Sequence, residues 1–336
     1  MTTTTTTAKR PRLTIRPADA LTAPERRQLE VAGLDDIAPI EAWAATGSNR
    51  QNAYATHGLF RYYGKFPPPI ASHLIDEYTK TGDLVFDPMC GSGTTGVESI
   101  LKSRRCELRD INPLSILVSD VKTRHLAAED LTAALDRIAA SYRPLTVDEY
   151  DHCPVGLRNP EHWFLEETSD SLRGLHRQVE AHGAKDVRRF FQVVFATTVR
   201  KVSRATTQQG RLFLDRESAR KDAWPTFQDN ARRAIDAVSS LATDAATNVG
   251  VDRHNLTEPL DDRYHKTVDL VVLHPPYFTN YRYSRVTSLE LAWLGHDQRR
   301  VRDDEVRECF KQGDPENRHK YIDDMHRALT HAADLL

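Results

Sequence analysis

Hydrophobic positions follow two patterns along the chain, short strand-like runs and helical periodicity, which together predict a mixed α/β fold. Strands are predicted near 84–88, 105–111, 248–255 and 268–274, and the first and last of them contain the apolar runs LVF and LVVL typical of buried strands. A glycine loop and a helical pattern follow the first predicted strand, and an acid and a second helical pattern follow the next. This order predicts half of a doubly wound, Rossmann-like α/β sheet.

The middle of the chain interrupts this alternation. Four segments between the second and third strands have helical periodicity, namely LTAALDRIAASY, SDSLRGLHRQVEAH, VRRFFQVVFATTVRKV and TFQDNARRAIDAVSSLAT. We therefore expect a helical insertion over 125–247, between two parts of one sheet domain at 21–124 and 248–336. A Thr run followed by basic residues predicts a disordered tail over 1–20, and 24–50 predicts short helices and polar loops.

Composition narrows the classes of protein that fit. The 336 residues are 39% hydrophobic and 28% charged, and 46 basic residues nearly balance 48 acidic ones. Such a chain can bury a sizeable core, and no apolar run approaches the roughly 18 residues of a membrane span. The start has no hydrophobic segment typical of a secretory signal. Four scattered cysteines without a C-x-x-C pair favour a reducing cytoplasm over a disulfide scaffold.

A glycine loop follows the first predicted strand and suggests a nucleotide-like ligand. Gly91, Gly93 and Gly96 form G-x-G-x-x-G between a strand and a helix, and Asp110 lies 19 residues after the first glycine. This spacing fits a dinucleotide fingerprint, with the acid on ribose hydroxyls. A nicotinamide-dependent oxidoreductase and a tight turn without any ligand both remain open at this point.

Two acids beside the loop favour a different ligand. Asp87 ends the strand before the glycines, where a negative charge would repel a pyrophosphate but attract a cationic or amino-bearing group. Asp110 follows the next strand, directly before Asn112-Pro113. An adenosine ligand with a charged amino-acid tail fits this pair, and S-adenosylmethionine has that chemistry.

Three motifs in the chain together resemble a known family. FDPMCGSGTTGVES with RDINPLS, the upstream THGLFRYYGKFPPPIASHLI and the later VDLVVLHPPYF are similar to motifs of the DNA amino-methyltransferases, which modify adenine-N6 or cytosine-N4. The resemblance covers roughly 52–123 and 248–295. It implies a Rossmann-like class I methyltransferase sheet and S-adenosylmethionine as cofactor. The cofactor-binding residues that it implies are Lys65, Phe66, Pro67, Asp87, Pro88, Cys90, Gly91, Gly93, Thr94, Thr95, Asp110, Ile111 and Asn112.

The resemblance also implies a catalytic motif, formed by His274, Pro275, Pro276 and Tyr277. An exocyclic amine becomes a better nucleophile when the enzyme accepts hydrogen bonds from its N–H groups. A proline carbonyl can serve as such an acceptor, and an aromatic ring can stack on a flipped base. The family begins this motif with Asp, Asn, Ser or Thr, whereas this chain has His274. A neutral imidazole has one acceptor nitrogen and can serve; a site that binds without catalysing is the alternative.

The sequence lacks the motifs of two other kinds of chemistry, covalent catalysis by cysteine and metal-dependent hydrolysis. Carbon-5 methylation of cytosine needs a nucleophilic cysteine after a proline, and no proline precedes a cysteine in this chain. The histidines form no H-E-x-x-H arrangement, so we expect no catalytic metal.

A basic stretch marks the predicted contact with double-stranded DNA. Residues 186–221 contain nine Lys or Arg and three acids, a net charge of +6, which can bind phosphates or can simply be a solvated helix surface. A polar, aromatic and basic loop follows the catalytic motif and is placed to fill the gap left by a flipped base. From the two stretches, the DNA-binding residues that we predict are Arg200, Lys201, Arg204, Arg211, Arg282, Tyr283 and Arg285.

The resulting prediction is a site-specific DNA methyltransferase acting in restriction–modification or phage defence, on adenine-N6 or cytosine-N4. RNA and protein-glutamine methyltransferases share similar motifs, and a catalytically silent DNA-binding subunit is a further alternative. A fold of this family needs about seven strands, and only four are predicted. We therefore expect the missing C-terminal strands to come from a continuing chain or from a partner chain.

Overall fold

The structure is a computed structural model that describes residues 13–17, 41–45, 48, 50–208, 211–217, 221–241, 249–276, 283–306 and 315–336. The strands, in chain order, are β1 (Leu13–Pro17), β2 (Glu41–Ala45), β3 (Leu84–Asp87), β4 (Arg105–Asp110), β5 (Ala205–Gln208), β6 (Arg211–Leu214), β7 (Val249–Arg253) and β8 (Leu270–Val271). The helices are α1 (Pro68–Tyr78), α2 (Thr94–Leu101), α3 (Pro113–Lys122), α4 (Ala128–Ser141), α5 (Pro160–Trp163), α6 (Glu166–Glu180), α7 (Lys185–Val202), α8 (Ala223–Ser239), α9 (Tyr283–Val286), α10 (Ser288–Trp293), α11 (Gln298–Asp304) and α12 (Pro315–Ala333). Short 3₁₀ helices cover Gln51–Ala53 and Asp262–Tyr264.

A parallel sheet in the order β7-β4-β3-β8 forms the centre of the molecule. Val85 pairs with Cys106 on one side and with Leu270 on the other, and Cys106 pairs with Val249. Every residue of β3 is buried, as expected for a strand with a neighbour on each side and helices on its faces. The predicted Rossmann-like fold class is confirmed, and each of its four strands lies within the predicted run.

Helices of the sheet domain begin at residues that favour a helix N-terminus. Pro68 and Pro69 occupy the first turn of α1, where a missing N–H costs little. Asn112 caps α3, because its side-chain oxygen accepts a hydrogen bond from the Leu114 N–H at 3.0 Å. Both starts place their loops at the edge where the parallel strands end, which is the edge that binds ligands in such sheets.

The predicted helical insertion forms a packed layer of its own. Helices α4, α6, α7 and α8 lie between β4 and β7 in the chain, and α7 packs against α6, α8, α10 and α3. Aromatic side chains fill this layer: Phe190, Phe191 and Phe227 are fully buried. Burial of that much apolar surface stabilises the insertion and holds it against the sheet domain.

Three segments differ from the sequence-based predictions. Residues 13–17 are a strand rather than part of a disordered tail, and they pair antiparallel with 41–45, where we expected short helices and loops. The alternation of Leu13, Thr14, Ile15 and Arg16 has the period of a strand, which the preceding Thr run obscured. Within the basic stretch, β5 and β6 form an antiparallel hairpin that we did not predict. No helix in the described ranges is both long and apolar enough to cross a membrane.

Candidate functional site

A pocket opens at the carboxyl ends of the central strands. The loops after β3, β4, β7 and β8 all contribute to its lining, together with the segment before α1 and the end of α11. Its volume is about 900 Å³ counted out to the open mouth, which suits a ligand of nucleoside size. The glycine loop and the predicted catalytic motif therefore face the same cavity.

Asp87 lines the pocket and is held by the start of α2. Its carboxylate accepts hydrogen bonds from Thr95 Oγ1 at 2.5 Å and from the Met89 N–H at 3.2 Å. The side chain is 3% exposed, and this burial raises the pKa of Asp87 to about 7. A cation bound beside it would lower that pKa again and would be attracted in return.

Asp110 connects the glycine loop to the start of α3. One carboxylate oxygen accepts from the Gly91 N–H at 2.9 Å, and the other accepts from the Asn112 N–H at 2.8 Å. Burial raises the pKa of Asp110 to about 6, although both hydrogen bonds favour the ionised form. Each oxygen keeps a further lone pair, so the carboxylate can still accept from hydroxyl groups of a ligand.

Gly93 supports the loop from behind and does not line the pocket. It has a left-handed backbone (φ +71°), and a Cβ there would lie 2.8 Å from Ser119 Oγ and 3.1 Å from Ser119 Cα on α3. Ser119 Oγ in turn donates to the Gly91 carbonyl at 3.1 Å. The glycine is needed because α3 and the loop approach each other too closely for a side chain.

We expect Gly93→Ala to destabilise the fold by about 2–4 kcal/mol, the sum of left-handed strain and overpacking. Gly82→Ala is the matched control, since Gly82 also has a positive φ (+87°) but nothing lies within 4 Å of its Cβ position. The control should cost only the strain, about 1–2 kcal/mol. Thermal unfolding measures both variants. Equal losses of stability would show that Ser119 moves aside to accommodate the new Cβ.

The predicted catalytic motif begins three residues after the end of β8 and two residues after the buried Val272. His274 and Pro276 line the pocket, and the His274 ring stacks on Phe66 with the centroids 4.9 Å apart at 27°. Burial lowers the pKa of His274, so the imidazole is neutral at pH 7. The Tyr321 hydroxyl donates to the Pro276 carbonyl at 3.0 Å, whereas no described residue donates to the Pro275 carbonyl. Tyr277 lies outside the described residues.

Lys65 is the lysine or arginine that lines the pocket among the described residues, and it belongs to a buried polar network. Its ammonium donates to the His57 carbonyl at 3.1 Å, and burial lowers the pKa of Lys65 to about 8. His57 Nε2 lies 2.7 Å from Glu98, which also accepts from the Tyr54 hydroxyl at 2.6 Å. The network fixes the segment before α1 against α2, so that Lys65 and Phe66 face the glycine loop.

Most of the predicted cofactor residues meet in this pocket. Those that line it are Lys65, Phe66, Asp87, Pro88, Cys90, Gly91, Asp110, Ile111 and Asn112. Four others lie outside the lining, namely Pro67, Gly93, Thr94 and Thr95. Thr94 and Thr95 are buried in the first turn of α2 and Pro67 precedes α1, so these residues support the pocket wall.

Ten lining residues were missed: Tyr62, Gly64, Met89, Ser92, His254, Asn255, Leu256, Asp304, Glu305 and Val306. Glu305 is the most notable, because it adds a carboxylate to the pocket directly after the end of α11. It accepts from the Ser284 N–H at 2.8 Å and from Ser284 Oγ at 3.0 Å, and burial raises its pKa to about 7. No local motif marks Glu305, since only the folded chain brings α11 to the cavity.

The predicted DNA-binding residues divide into two groups. Arg204 is half-buried, Arg211 and Arg285 are exposed, Tyr283 lines the pocket against Gly64, and Arg282 lies outside the described residues. Arg200 differs from the expectation, because it faces the buried Glu290 at 2.8 Å and not the solvent. The Lys201 ammonium likewise donates to Asn230 of α8. Both residues connect helices, but the Lys201 side chain is exposed while that of Arg200 is half-buried.

Known proteins with similar sequences are DNA methylases. Residues 23–117 match the family model described as DNA methylase. The chain is 27% identical over 173 residues to the type II methyltransferase M.MvaI of Kocuria varians, covering 49% of this chain and 38% of that protein. It is 23% identical over 296 residues to the type II methyltransferase M.BsoBI of Geobacillus stearothermophilus, covering 79% of this chain and 57% of that protein.

A third similar protein is the type II methyltransferase M.MjaII of Methanocaldococcus jannaschii, 30% identical over 88 residues that cover 26% of this chain and 17% of that protein. The chain therefore spans less than two thirds of each of these relatives. No solved structure matches it significantly. The resemblance that the three motifs predicted is confirmed.

Proposed function

We propose that this chain, a relative of the DNA methylases, transfers a methyl group from S-adenosylmethionine to an exocyclic amine of a base in double-stranded DNA. One observation carries the proposal: His274 and Pro276 line the same cavity as the two strand-end acids, Asp87 and Asp110. Donor and acceptor groups of a transfer reaction must meet within one site. The named relatives are type II methyltransferases, which supports a role in restriction–modification.

The charge of the pocket supports a cationic cofactor. Among the residues that the structure describes, four carboxylates line it, those of Asp87, Asp110, Asp304 and Glu305, against the single lysine Lys65. Such a cavity attracts a sulfonium and an ammonium group and repels a pyrophosphate. It therefore disfavours the nicotinamide alternative, in which two phosphates would face the glycine loop.

Unpartnered polar atoms in the lining also fit an adenosine ligand. Within the described part of the chain, the buried Asn112 Nδ2 and Ser92 Oγ have no hydrogen-bond partner. Buried donors of this kind cost stability unless a ligand or water pairs with them. When bound, S-adenosylmethionine supplies an electrophilic methyl group on a positively charged sulfur. Asp87, Asp110, Ile111 and Asn112 would hold it.

The chain's own contribution is to place and activate the amine. The neutral imidazole of His274 can accept one N–H of the target amine, and the Pro275 carbonyl can accept the other. Two acceptors direct the nitrogen lone pair away from the ring of the base and toward the pocket. The Pro276 carbonyl is engaged by Tyr321, which fixes the Pro-Pro turn in place. This arrangement serves the amines of adenine and cytosine equally.

Cofactor affinity should depend on pH in a direction set by the pocket acids. Asp110 titrates near 6, and Asp87 and Glu305 near 7, so all three become more negative as the pH rises from 5.5 to 7.5. We expect the affinity for S-adenosylmethionine to rise by about tenfold over this range, since the cation binds the ionised form. Isothermal titration calorimetry checks this.

Two controls test whether the pH dependence comes from the charges of the cofactor and the pocket. S-adenosylhomocysteine lacks the sulfonium charge and should show a weaker pH dependence. Glu305→Gln keeps an acceptor for Ser284 but removes one titrating charge, so its curve should be flatter. An affinity for S-adenosylmethionine that is constant from pH 5.5 to 7.5 would contradict the placement of its cationic end among these carboxylates.

Methyl transfer tests the proposal itself. In separate reactions, purified protein and labelled S-adenosylmethionine are incubated with plasmid DNA, with transfer RNA or with a protein mixture. We expect label in the plasmid DNA alone. Label in transfer RNA or protein would redirect the assignment to those substrates, and cofactor binding without any transfer would support a silent DNA-binding subunit.

A further inference from the structure

The β5–β6 hairpin has two faces of opposite character. Its register pairs Thr206 with Phe213 and Gln208 with Arg211, so these four side chains share one face. On the other face, Ala205 and Leu212 pack against the large aromatic core of the helical layer. The first face is turned to solvent: Gln208 and Arg211 are exposed, and Phe213 is 45% exposed.

The outward face carries the chemistry that reads base edges. Arg donates two parallel hydrogen bonds to guanine, Gln pairs in the same way with adenine, and an apolar side chain contacts the thymine methyl. Core packing does not explain this face, because a large apolar ring at Phe213 is left in water on a short hairpin. Arg216 is exposed beside it and Arg204 is half-buried, so with Arg211 three arginines outnumber the neighbouring acids Asp215 and Glu217. The charge is complementary to a DNA backbone.

The hairpin is fixed relative to the candidate catalytic pocket. Arg200 Nη1 donates to Thr207 Oγ1 at 3.3 Å, and the same guanidinium binds the Val286 carbonyl and Glu290. Strand β6 also packs against α9, which begins with the pocket residue Tyr283. A rigid connection of this kind sets a constant distance between the hairpin and a base bound in the pocket.

We propose that the β5–β6 hairpin enters the major groove beside the target base and reads the recognition sequence through Gln208, Arg211 and Phe213. A two-stranded ribbon has the width that the major groove admits. The proposal rests on the proposed function, because it requires duplex DNA as substrate. Arg200 would act as a positioning residue that holds the reading face in place.

The test compares methylation patterns. Wild type, Gln208→Ala/Arg211→Ala, Arg211→Lys and the control Arg232→Ala on the exposed face of α8 are each expressed in cells lacking other methyltransferases. Modified bases in the DNA are then located by sequencing. We expect the double variant to lose roughly 5- to 150-fold discrimination at one or two positions of the target sequence, the value of a bidentate contact. Arg211→Lys should relax the same position, because lysine keeps the charge but loses the fork.

The Arg232→Ala pattern should equal that of wild type. Melting temperature and affinity for S-adenosylmethionine should also be unchanged in the hairpin variants, since the altered side chains touch neither core nor pocket. An unchanged sequence pattern in the double variant, even with weaker DNA binding, would overturn the proposal and reduce the hairpin to a phosphate contact. Absence of modified bases with the wild-type protein would instead refute the proposed function.

Discussion

Replacing His274 with Ala should slow methyl transfer by about 100-fold or more while cofactor affinity stays nearly constant. The imidazole lines the pocket and stacks on Phe66, and burial lowers its pKa, so it offers a neutral acceptor nitrogen at pH 7. Its loss would leave one N–H of the target amine without a protein acceptor. Losses of this size follow removal of a single preorganised polar group from an active site. Single-turnover transfer to duplex DNA measures the effect.

His274→Asn is the informative companion variant. An amide oxygen can accept the same hydrogen bond, and the related family begins this motif with Asp, Asn, Ser or Thr. We therefore expect Asn to retain much more activity than Ala. If Asn and Ala lose activity equally, the ring acts by packing on Phe66; if Ala is as active as wild type, His274 takes no part in transfer.

Arg200→Ala should destabilise the helical layer by about 3–5 kcal/mol, as much as the loss of a large core side chain. The guanidinium binds both oxygens of Glu290, each at 2.8 Å, and the Glu290 side chain is only 3% exposed. Truncation would leave a buried carboxylate without its partner and would release the hairpin contact at Thr207. Thermal unfolding should report a fall of several degrees.

Two further variants distinguish the stability lost with this ion pair from the stability lost by removing any arginine. Arg232→Ala removes an arginine whose nearest acid, Asp229, is 3.7 Å away with both side chains 64% exposed, so stability should hardly change. Adding Glu290→Gln to Arg200→Ala removes the unpaired charge and should restore part of the loss. Equal melting temperatures for Arg200→Ala and Arg232→Ala would show that the buried pair contributes no stability.

Local sequence patterns were sufficient to predict the central sheet and the part of the site that follows β3 and β4. Asp87 and Asp110 are predictable because each ends a predicted strand, and the carboxyl ends of parallel strands meet at one edge. The same rule applied to β7 would have found His254 and Leu256, which follow its end and line the pocket. Glu305 could not be found in this way, since its position depends on how the chain returns after β8.

The basic stretch shows where sequence reasoning is weakest. Charge alone placed Arg200 on a DNA-binding surface, whereas the folded protein pairs it with Glu290. A signal was present, because a lone acid within the apolar run SLELAW predicts a buried partner of opposite charge. The hairpin was missed because its strands have four residues each and its inner face is only partly apolar.

Sequencing of modified bases in DNA from cells that express the protein tests the central claim most directly. Cells that lack other methyltransferases express either the wild type or His274→Ala. We expect the wild type to produce a single modified sequence carrying adenine-N6 or cytosine-N4 methylation, and His274→Ala to produce almost none. DNA free of modified bases in both, from cells that contain folded protein, would contradict the account.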